Sequence, residues 1–169
     1  MARRRIMLAA TALVMAIVVA TGVSGAFAAG GKKSPKNAAA AGQRLSGTWL
    51  STVTLQNPPP GVAGTFLALD TFTRSGEVLV SSAQAQPSTR SLAQGDWVRT
   101  GNHQFASTFV WFRFDSTGQW TGMQRVRRTM TLAPSLDAFT SEDVIEVLTP
   151  NGTVVAMLHG TEAAERLSP

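Results

Sequence analysis

The chain has 169 residues, no cysteine and a formal net charge of +5. The lack of cysteine excludes disulfides, thiolate metal sites, a catalytic cysteine and a lipid anchor on cysteine. From Leu45 onward the chain carries eight arginines against all ten acidic residues, so the positive charge belongs to the first 44 residues. Because a nucleic-acid-binding domain needs a basic face, we expect no nucleic-acid partner.

Residues 1–29 have the pattern of an export signal. Arg3 to Arg5 precede a long apolar stretch, and Ala26-Phe27-Ala28 provides the small residues of a cleavage site. The uncharged run 6–29 is also long enough for an uncleaved membrane anchor. Arg4-Arg5 is similar to the pair of a twin-arginine export signal. Each alternative places the remainder outside the cytoplasm, either secreted, periplasmic or at the cell envelope.

Residues 30–44 are small, polar and basic, which predicts a flexible basic linker. Its lysines offer contacts to anionic lipid. Membrane contact is therefore expected only through this linker or an uncleaved N-terminal segment. The rest of the chain, 45–169, is predicted to be one β-barrel domain.

The domain shows short runs rich in Val, Thr, Phe and Trp between glycine-containing turns, which is typical of antiparallel strands. Eight strands are predicted, at 46–55, 64–73, 76–82, 95–100, 103–114, 118–132, 137–149 and 152–159. Short connections favour an up-and-down order, and eight such strands close into a barrel that holds side chains or one small ligand. We therefore predict an all-β fold, an eight-stranded up-and-down antiparallel β-barrel.

Two of the predicted connections are long. Residues 57–64 contain three consecutive prolines, and 83–94 join strands three and four. In an up-and-down barrel both connections lie at the same rim, which we predict to be the mouth.

A Gly-x-Trp pattern occurs three times, at Gly47-Thr48-Trp49, Gly95-Asp96-Trp97 and Gly118-Gln119-Trp120. Glycine two residues before tryptophan lies on the same face of a strand and leaves room for the indole. The topology predicts Trp49 at the closed base of the barrel. The other tryptophans, Trp97, Trp111 and Trp120, are expected at the mouth, where they complete the packing or contact a ligand.

Gly47-Thr48-Trp49, at the start of the first strand, matches the Gly-x-Trp motif of the lipocalins in position and sense. The chain thus resembles the lipocalin and calycin families, exported eight-stranded barrels that bind hydrophobic molecules. Its strand pattern is most similar to that of uncharacterised bacterial secreted lipocalin-like proteins. The resemblance implies that an arginine stacks on Trp49, with Arg128 and Arg166 as candidates. The chain departs from the family in lacking its Thr-Asp-Tyr motif and disulfide.

Polar residues are expected inside the barrel on strands six and seven. Alternation places Gln124 and Arg128 on the same inward face as Trp120, and Asp143 on the apolar face of strand seven. Because a buried charge is tolerable only when paired, we expect Arg128 to face Asp143, as a structural ion pair or as groups that orient a ligand. The predicted ligand-binding residues are Trp97, Trp111, Trp120, Gln124, Arg128 and Asp143.

Strand 103–114 is apolar on both faces, although a barrel strand needs only one buried face. A homodimer contact through this strand is the leading expectation, with cover by a loop or a chain end as the alternative.

No motif for a catalytic serine, a phosphate-binding loop, a dinucleotide or a metal is present, and His103 and His159 lack metal-ligand spacing. We therefore expect no cofactor, no metal and no assigned catalytic residue. The sequence favours an exported protein that holds an apolar or amphipathic molecule in the barrel lumen. One alternative is an isomerase or cyclase that uses the lumen with Asp70, Asp143 or His159. The other is a pocketless interaction protein of the cell envelope.

Overall fold

The structure, a computed structural model, describes residues 44–84 and 86–168. The predicted export signal at 1–29 and the linker at 30–44, apart from Arg44, lie outside the described residues. Within the part of the chain that is described, no helix is both long and apolar enough to cross a bilayer.

The predicted fold class is confirmed. Eight antiparallel strands close into a barrel in which each strand pairs with the next and the last pairs with the first. They are β1 (Gly47–Gln56), β2 (Thr65–Phe72), β3 (Glu77–Ser82), β4 (Ala93–Gly101), β5 (Gln104–Phe114), β6 (Trp120–Leu132), β7 (Ala138–Leu148) and β8 (Val154–Arg166). A short 3-10 helix, Pro87–Thr89, lies in the β3–β4 connection. The largest departure is β8, which was predicted to end at residue 159 and continues to Arg166 because the added residues pair with β7 on one side and β1 on the other.

The strands alternate between an inward and an outward face, as a barrel wall requires. In β1, for example, Trp49, Ser51, Val53 and Leu55 are buried, and the residues between them are exposed. The barrel interior is therefore built from every second residue of each strand.

The base half of the interior is packed with aromatic rings. Trp49 and Phe139 meet edge to face at 5.0 Å between ring centres, and Phe72 lies 6.0 Å from both Phe139 and Trp97. Phe105 continues this group, 5.8 Å from Trp97. Edge-to-face pairs of this kind stabilise beyond the area that they bury. This end of the barrel is closed by solid packing.

Trp97 belongs to this base packing, so its predicted place at the mouth is wrong. Its indole N–H donates to the carbonyl of Thr73, in the β2–β3 turn, at 3.0 Å. β4 begins at Ala93, two residues earlier than predicted. Trp97 is therefore the fifth residue of the strand, which carries its ring down to the base.

The predicted place of Trp120 inside the mouth is also wrong. The β5–β6 register shifts between Arg113 and Phe114, and Gly122 there has a φ of 130°. This irregularity interrupts the alternation of β6, as bulges do. Trp120 consequently lies on the outer surface, 47% exposed, with its ring 6.2 Å from that of Phe112.

The glycine has a different structural role in each of the three Gly-x-Trp units. A Cβ on Gly47 would lie 2.7 Å from Nη1 of Arg166, so the glycine leaves room for that guanidinium over Trp49. A Cβ on Gly95 would lie 1.9 Å from the carbonyl oxygen of Thr108, so this glycine permits the close approach of β4 and β5. Gly118 lies in the β5–β6 turn. The shared spacing therefore has no single cause.

Candidate functional site

The mouth half of the barrel contains an internal cavity of about 40 Å³. It lies beneath the rim that carries both long connections, and Gln84 and Arg90 of the β3–β4 connection contribute to its lining. The apolar wall is formed by inward residues of six strands: Val53, Phe66, Ala68, Val80, Phe109, Trp111, Val126 and Ile145. A cavity of this volume holds a few water molecules and is well below the ~300 Å³ of ordinary ligand pockets.

Four of the six predicted ligand-binding residues meet at this cavity. Trp111, Gln124, Arg128 and Asp143 all line it, as the alternation of β5, β6 and β7 predicts. Trp97 and Trp120 do not, for the reasons given above.

The floor of the cavity is built around Arg128, which is buried in β6. Its Nη1 lies 2.9 Å from Oδ1 of Asp70 on β2, and its Nη2 lies 2.9 Å from Oε2 of Glu162 on β8. Its Nε lies 3.3 Å from Oδ1 of Asp143 on β7 and has no hydrogen-bond partner within the described residues. The predicted approach of Arg128 to Asp143 is present, but the closest partners of the guanidinium are Asp70 and Glu162.

Two serines complete this assembly. Ser51 donates to Oδ2 of Asp70 at 2.5 Å, and the hydroxyl of Ser141 lies 2.6 Å from Oδ1 of Asp143. We refer to the six residues Ser51, Asp70, Arg128, Ser141, Asp143 and Glu162 as the charge cluster. Glu162 was not predicted to lie there because strand eight was predicted to end at residue 159.

The charge cluster holds three carboxyl groups against one guanidinium, so its negative charges are not fully balanced. Burial raises the pKa of Glu162 to about 8 against the lowering effect of Arg128, and the negative charge of Asp70 adds to the rise. Burial likewise raises the pKa of Asp143. For Asp70, burial is opposed by Arg128 and by hydrogen bonds with Glu162 and Ser51, and the net effect lowers its pKa.

These shifts assign charges to the cluster at neutral pH. Glu162 keeps its proton, whereas Asp70 is ionised. The charges of Asp70 and Arg128 offset each other, and the raised pKa of Asp143 makes that group easier to protonate. Because Asp143 and Arg128 line the cavity, these polar groups form its floor.

An aromatic column connects the floor to the mouth. The guanidinium carbon of Arg128 lies 4.9 Å from the centre of the Phe109 ring, and that ring stacks on Trp111 at 6.2 Å and 23°. At the mouth the guanidinium carbon of Arg90 lies 4.5 Å from the centre of the Trp111 ring. Cation–π contacts at both ends hold the two rings in place.

The arginine implied to stack on Trp49 is Arg166. Its guanidinium carbon lies 4.1 Å from the centre of that ring, whereas Arg128 is engaged in the charge cluster. Trp49 therefore belongs to the closed base.

The other residues considered for chemistry do not reach the cavity. Asp70 is fully buried and is absent from the cavity lining, and His159 lies exposed on β8. Within residues 44–84 and 86–168, no group of three or more metal-ligating side chains has the geometry to hold a metal ion. Asp143 is the carboxyl group placed to meet a bound molecule.

No protein-family model and no curated protein matches the sequence. The closed eight-stranded barrel is compatible with a calycin-like fold. The site must therefore be interpreted from its own geometry.

Proposed function

We propose that the protein binds a small apolar or amphipathic molecule in the mouth half of the barrel. The observation that supports this is the division of the interior. The base is filled by aromatic side chains, whereas the mouth half has an apolar cavity with a charged floor. An apolar wall with a few convergent polar groups is typical of small-molecule sites.

The charge cluster is costly if its role is only structural. Removing charged groups from water costs several kcal/mol per ion, and well-packed apolar side chains would often stabilise a fold equally well. In the proposed complex, Arg128, Asp143 and Gln124 orient a polar group of the ligand, and Trp111 contacts its apolar part. The cluster then contributes to recognition.

A ligand larger than a few water molecules requires side chains at the mouth to move. The weakest part of the barrel wall is close to them, since β3 pairs with β4 only from Glu77 to Val80. Ser81 and Ser82 continue β3 beyond that pairing. We infer that the ligand enters here as Gln84 and Arg90 swing aside.

A second candidate is an enzyme that moves a proton, such as an isomerase or cyclase. Asp143 lines the cavity and has a pKa raised by burial, which suits a general base or acid. Under this alternative Asp143→Asn would abolish turnover of a bound molecule while leaving its affinity almost unchanged.

The binding proposal is tested by native mass spectrometry of protein purified from its own host, followed by titration of the released molecule into the stripped protein. Ala68→Leu, which fills the cavity, is expected to abolish binding. Ala163→Leu makes the same change on the outer surface of β8 and should bind like the wild type. Undiminished binding by Ala68→Leu would exclude the lumen as the site. If neither the native protein nor a titrated apolar panel shows a complex, a pocketless interaction protein is favoured.

We also propose that the protein acts outside the cytoplasm, on the strength of the signal-like sequence at 1–29. Cell fractionation tests this, and recovery of the full-length chain only in the cytoplasm would overturn it.

A further inference from the structure

Arg90, half-buried at the mouth, lacks the polar partners that Arg128 and Arg166 have. Within residues 44–84 and 86–168, no side chain or carbonyl forms a hydrogen bond or ion pair with its guanidinium, which stacks on Trp111. Partial burial, with no compensating charge, lowers the pKa of Arg90. In contrast, Arg128 contacts three carboxyl groups and Arg166 donates to backbone carbonyls. A partly desolvated guanidinium without a counter-ion is an unfilled binding group for an anion.

The position of Arg90 places this group at the entrance of the cavity. Its side chain lines the internal cavity and also a surface hollow of about 330 Å³ beside the end of β3. Val80 and Ser82 also border both spaces. The side chain of Arg90 therefore lies between the cavity and the surface hollow.

The charge cluster determines which part of a ligand can lie at the floor of the cavity. The donors of Arg128 are already directed at the carboxyl groups of Asp70, Glu162 and Asp143. The floor therefore offers an anionic group no cation that lacks an acidic partner. Arg90 offers the complementary charge at the opposite end of the aromatic column.

We propose that Arg90 binds the anionic group of the ligand, which is a small amphipathic oxyanion such as a carboxylate. The anionic group lies at the entrance, the apolar part extends along Trp111 into the cavity, and the polar group that Gln124, Arg128 and Asp143 orient at the floor is a second, neutral one. This inference rests on the proposed lumen-binding function. The planar guanidinium presents two parallel N–H donors to a carboxylate, and stacking on the indole holds that plane in a fixed orientation.

The test compares two probes of equal chain length, octanoate and 1-octanol, by isothermal titration calorimetry on the full chain. The wild type is expected to bind octanoate roughly tenfold more tightly, as one charge-assisted pair allows. Arg90→Gln should lose this preference and bind 1-octanol as the wild type does. Arg90→Lys, which keeps the charge without the paired donors, should retain part of the preference.

Arg113→Gln is the matched control. Arg113 lies opposite Arg90 in a β-bridge at the same rim but does not line the cavity, so this variant should keep the full preference for octanoate. Circular dichroism and thermal unfolding of each variant establish that it is folded.

The outcomes separate this inference from the function on which it rests. Equal binding of both probes by the wild type, or an unchanged preference in Arg90→Gln, would overturn the anion site and leave lumen binding intact. An equal loss in Arg113→Gln would overturn it too, because it would show a general surface potential. Failure of the wild type to bind either probe would count against both proposals.

Discussion

The guanidinium carbon of Arg166, in the last residue of β8, lies 4.1 Å from the centre of the Trp49 ring near the start of β1. The two residues are opposite each other in the antiparallel pair that closes the barrel. The same guanidinium donates to the carbonyls of Ser46 and Leu136 at 2.8 and 3.1 Å. One side chain thus joins the first strand, the last strand and the β6–β7 turn.

Replacement of this arginine should weaken the closed base. We expect Arg166→Ala to lower the free energy of unfolding by about 2 kcal/mol, because a cation–π contact and hydrogen bonds to carbonyls are lost. The free energy of unfolding of Arg166→Lys should lie between those of Arg166→Ala and the wild type. Urea unfolding measures the change. The exposed Arg99→Ala is the control, and an equal loss in that variant would contradict the role given to Arg166.

Removal of the cation from the charge cluster should be more damaging. Arg128→Met leaves Asp70, Asp143 and Glu162 buried without a positive charge, which is expected to cost ~3–5 kcal/mol of unfolding free energy. Arg127→Met, on the outer face of the same strand, removes one of the two arginine contacts of Glu146, which keeps its contact to Arg125, and should cost less than about 1 kcal/mol. Chemical denaturation at neutral pH compares them, and similar stabilities for the two variants would refute the account of the cluster.

Glu162 should make stability depend on pH. Its pKa rises from the ordinary 4.5 to about 8 in the folded barrel, so the folded state keeps a proton that the unfolded chain releases. The resulting stabilisation is complete below the unfolded pKa and declines as pH increases toward 8, by up to ~1.4 kcal/mol per pH unit. The raised pKa of Asp143 adds a slope of the same sign. Asp70 has a lowered pKa, so its contribution to stability decreases as the pH falls. That contribution changes only in acid, at pH values near and below the ordinary pKa of an aspartate.

Glu162→Gln mimics the protonated form and should flatten this decline. Urea unfolding between about pH 5 and pH 8 measures the slope. Glu165→Gln, at an exposed position of the same strand, should retain the slope of the wild type. A Glu162→Gln slope identical to that of the wild type would show that Glu162 is ionised in the folded barrel.

Gly95 should not accept a side chain. The Cβ of Gly95→Ala would lie 2.5 Å from the Cα of Phe109 and closer still to the Thr108 carbonyl, so β4 and β5 must separate. We expect the free energy of unfolding to fall by ~1–3 kcal/mol or more, which is the usual cost of overpacking. Gly118→Ala meets open space but has a φ of 83°, and should cost only about 1 kcal/mol. Thermal unfolding measures both variants, and equal stability of the two would contradict this prediction.

The outer face of β5 remains the predicted dimer contact. Val110 and Phe112 are exposed there, and Trp120 packs beside Phe112. If the chain dimerises through this face, Phe112→Ser should shift it to a monomer in size-exclusion chromatography with light scattering. Val155→Ser, at an exposed position on β8, should not. A wild type that stays monomeric at high concentration would exclude the dimer.

The strands and their order could be predicted because alternation and turn residues are local signals. Gln124, Arg128, Asp143 and Trp111 were placed correctly for the same reason, since each follows the inward period of its strand. Trp120 was misplaced because the register shift beside it depends on the close approach of Gly122 to β7. No local sequence pattern indicates that contact.

Arg90 and Glu162 show what the sequence could not indicate. Arg90 lies in an irregular connection, where no period predicts the direction of a side chain. Glu162 faces inward in a stretch of β8 that pairs with β7 on one side and with β1, a partner more than a hundred residues away, on the other. Both positions result from tertiary contacts.

The pairing of β1 with β8 also constrains how the molecule can be made. Trp49 meets Arg166 across this seam, so the ring stays open until the segment that contains Arg166 is available to pair with β1. A chain that stops short of Gly160 would expose two unpaired edges, which are ready templates for aggregation. Residues 160–166 therefore complete the closure of the ring, and their loss is expected to cause aggregation before any change in binding could be measured.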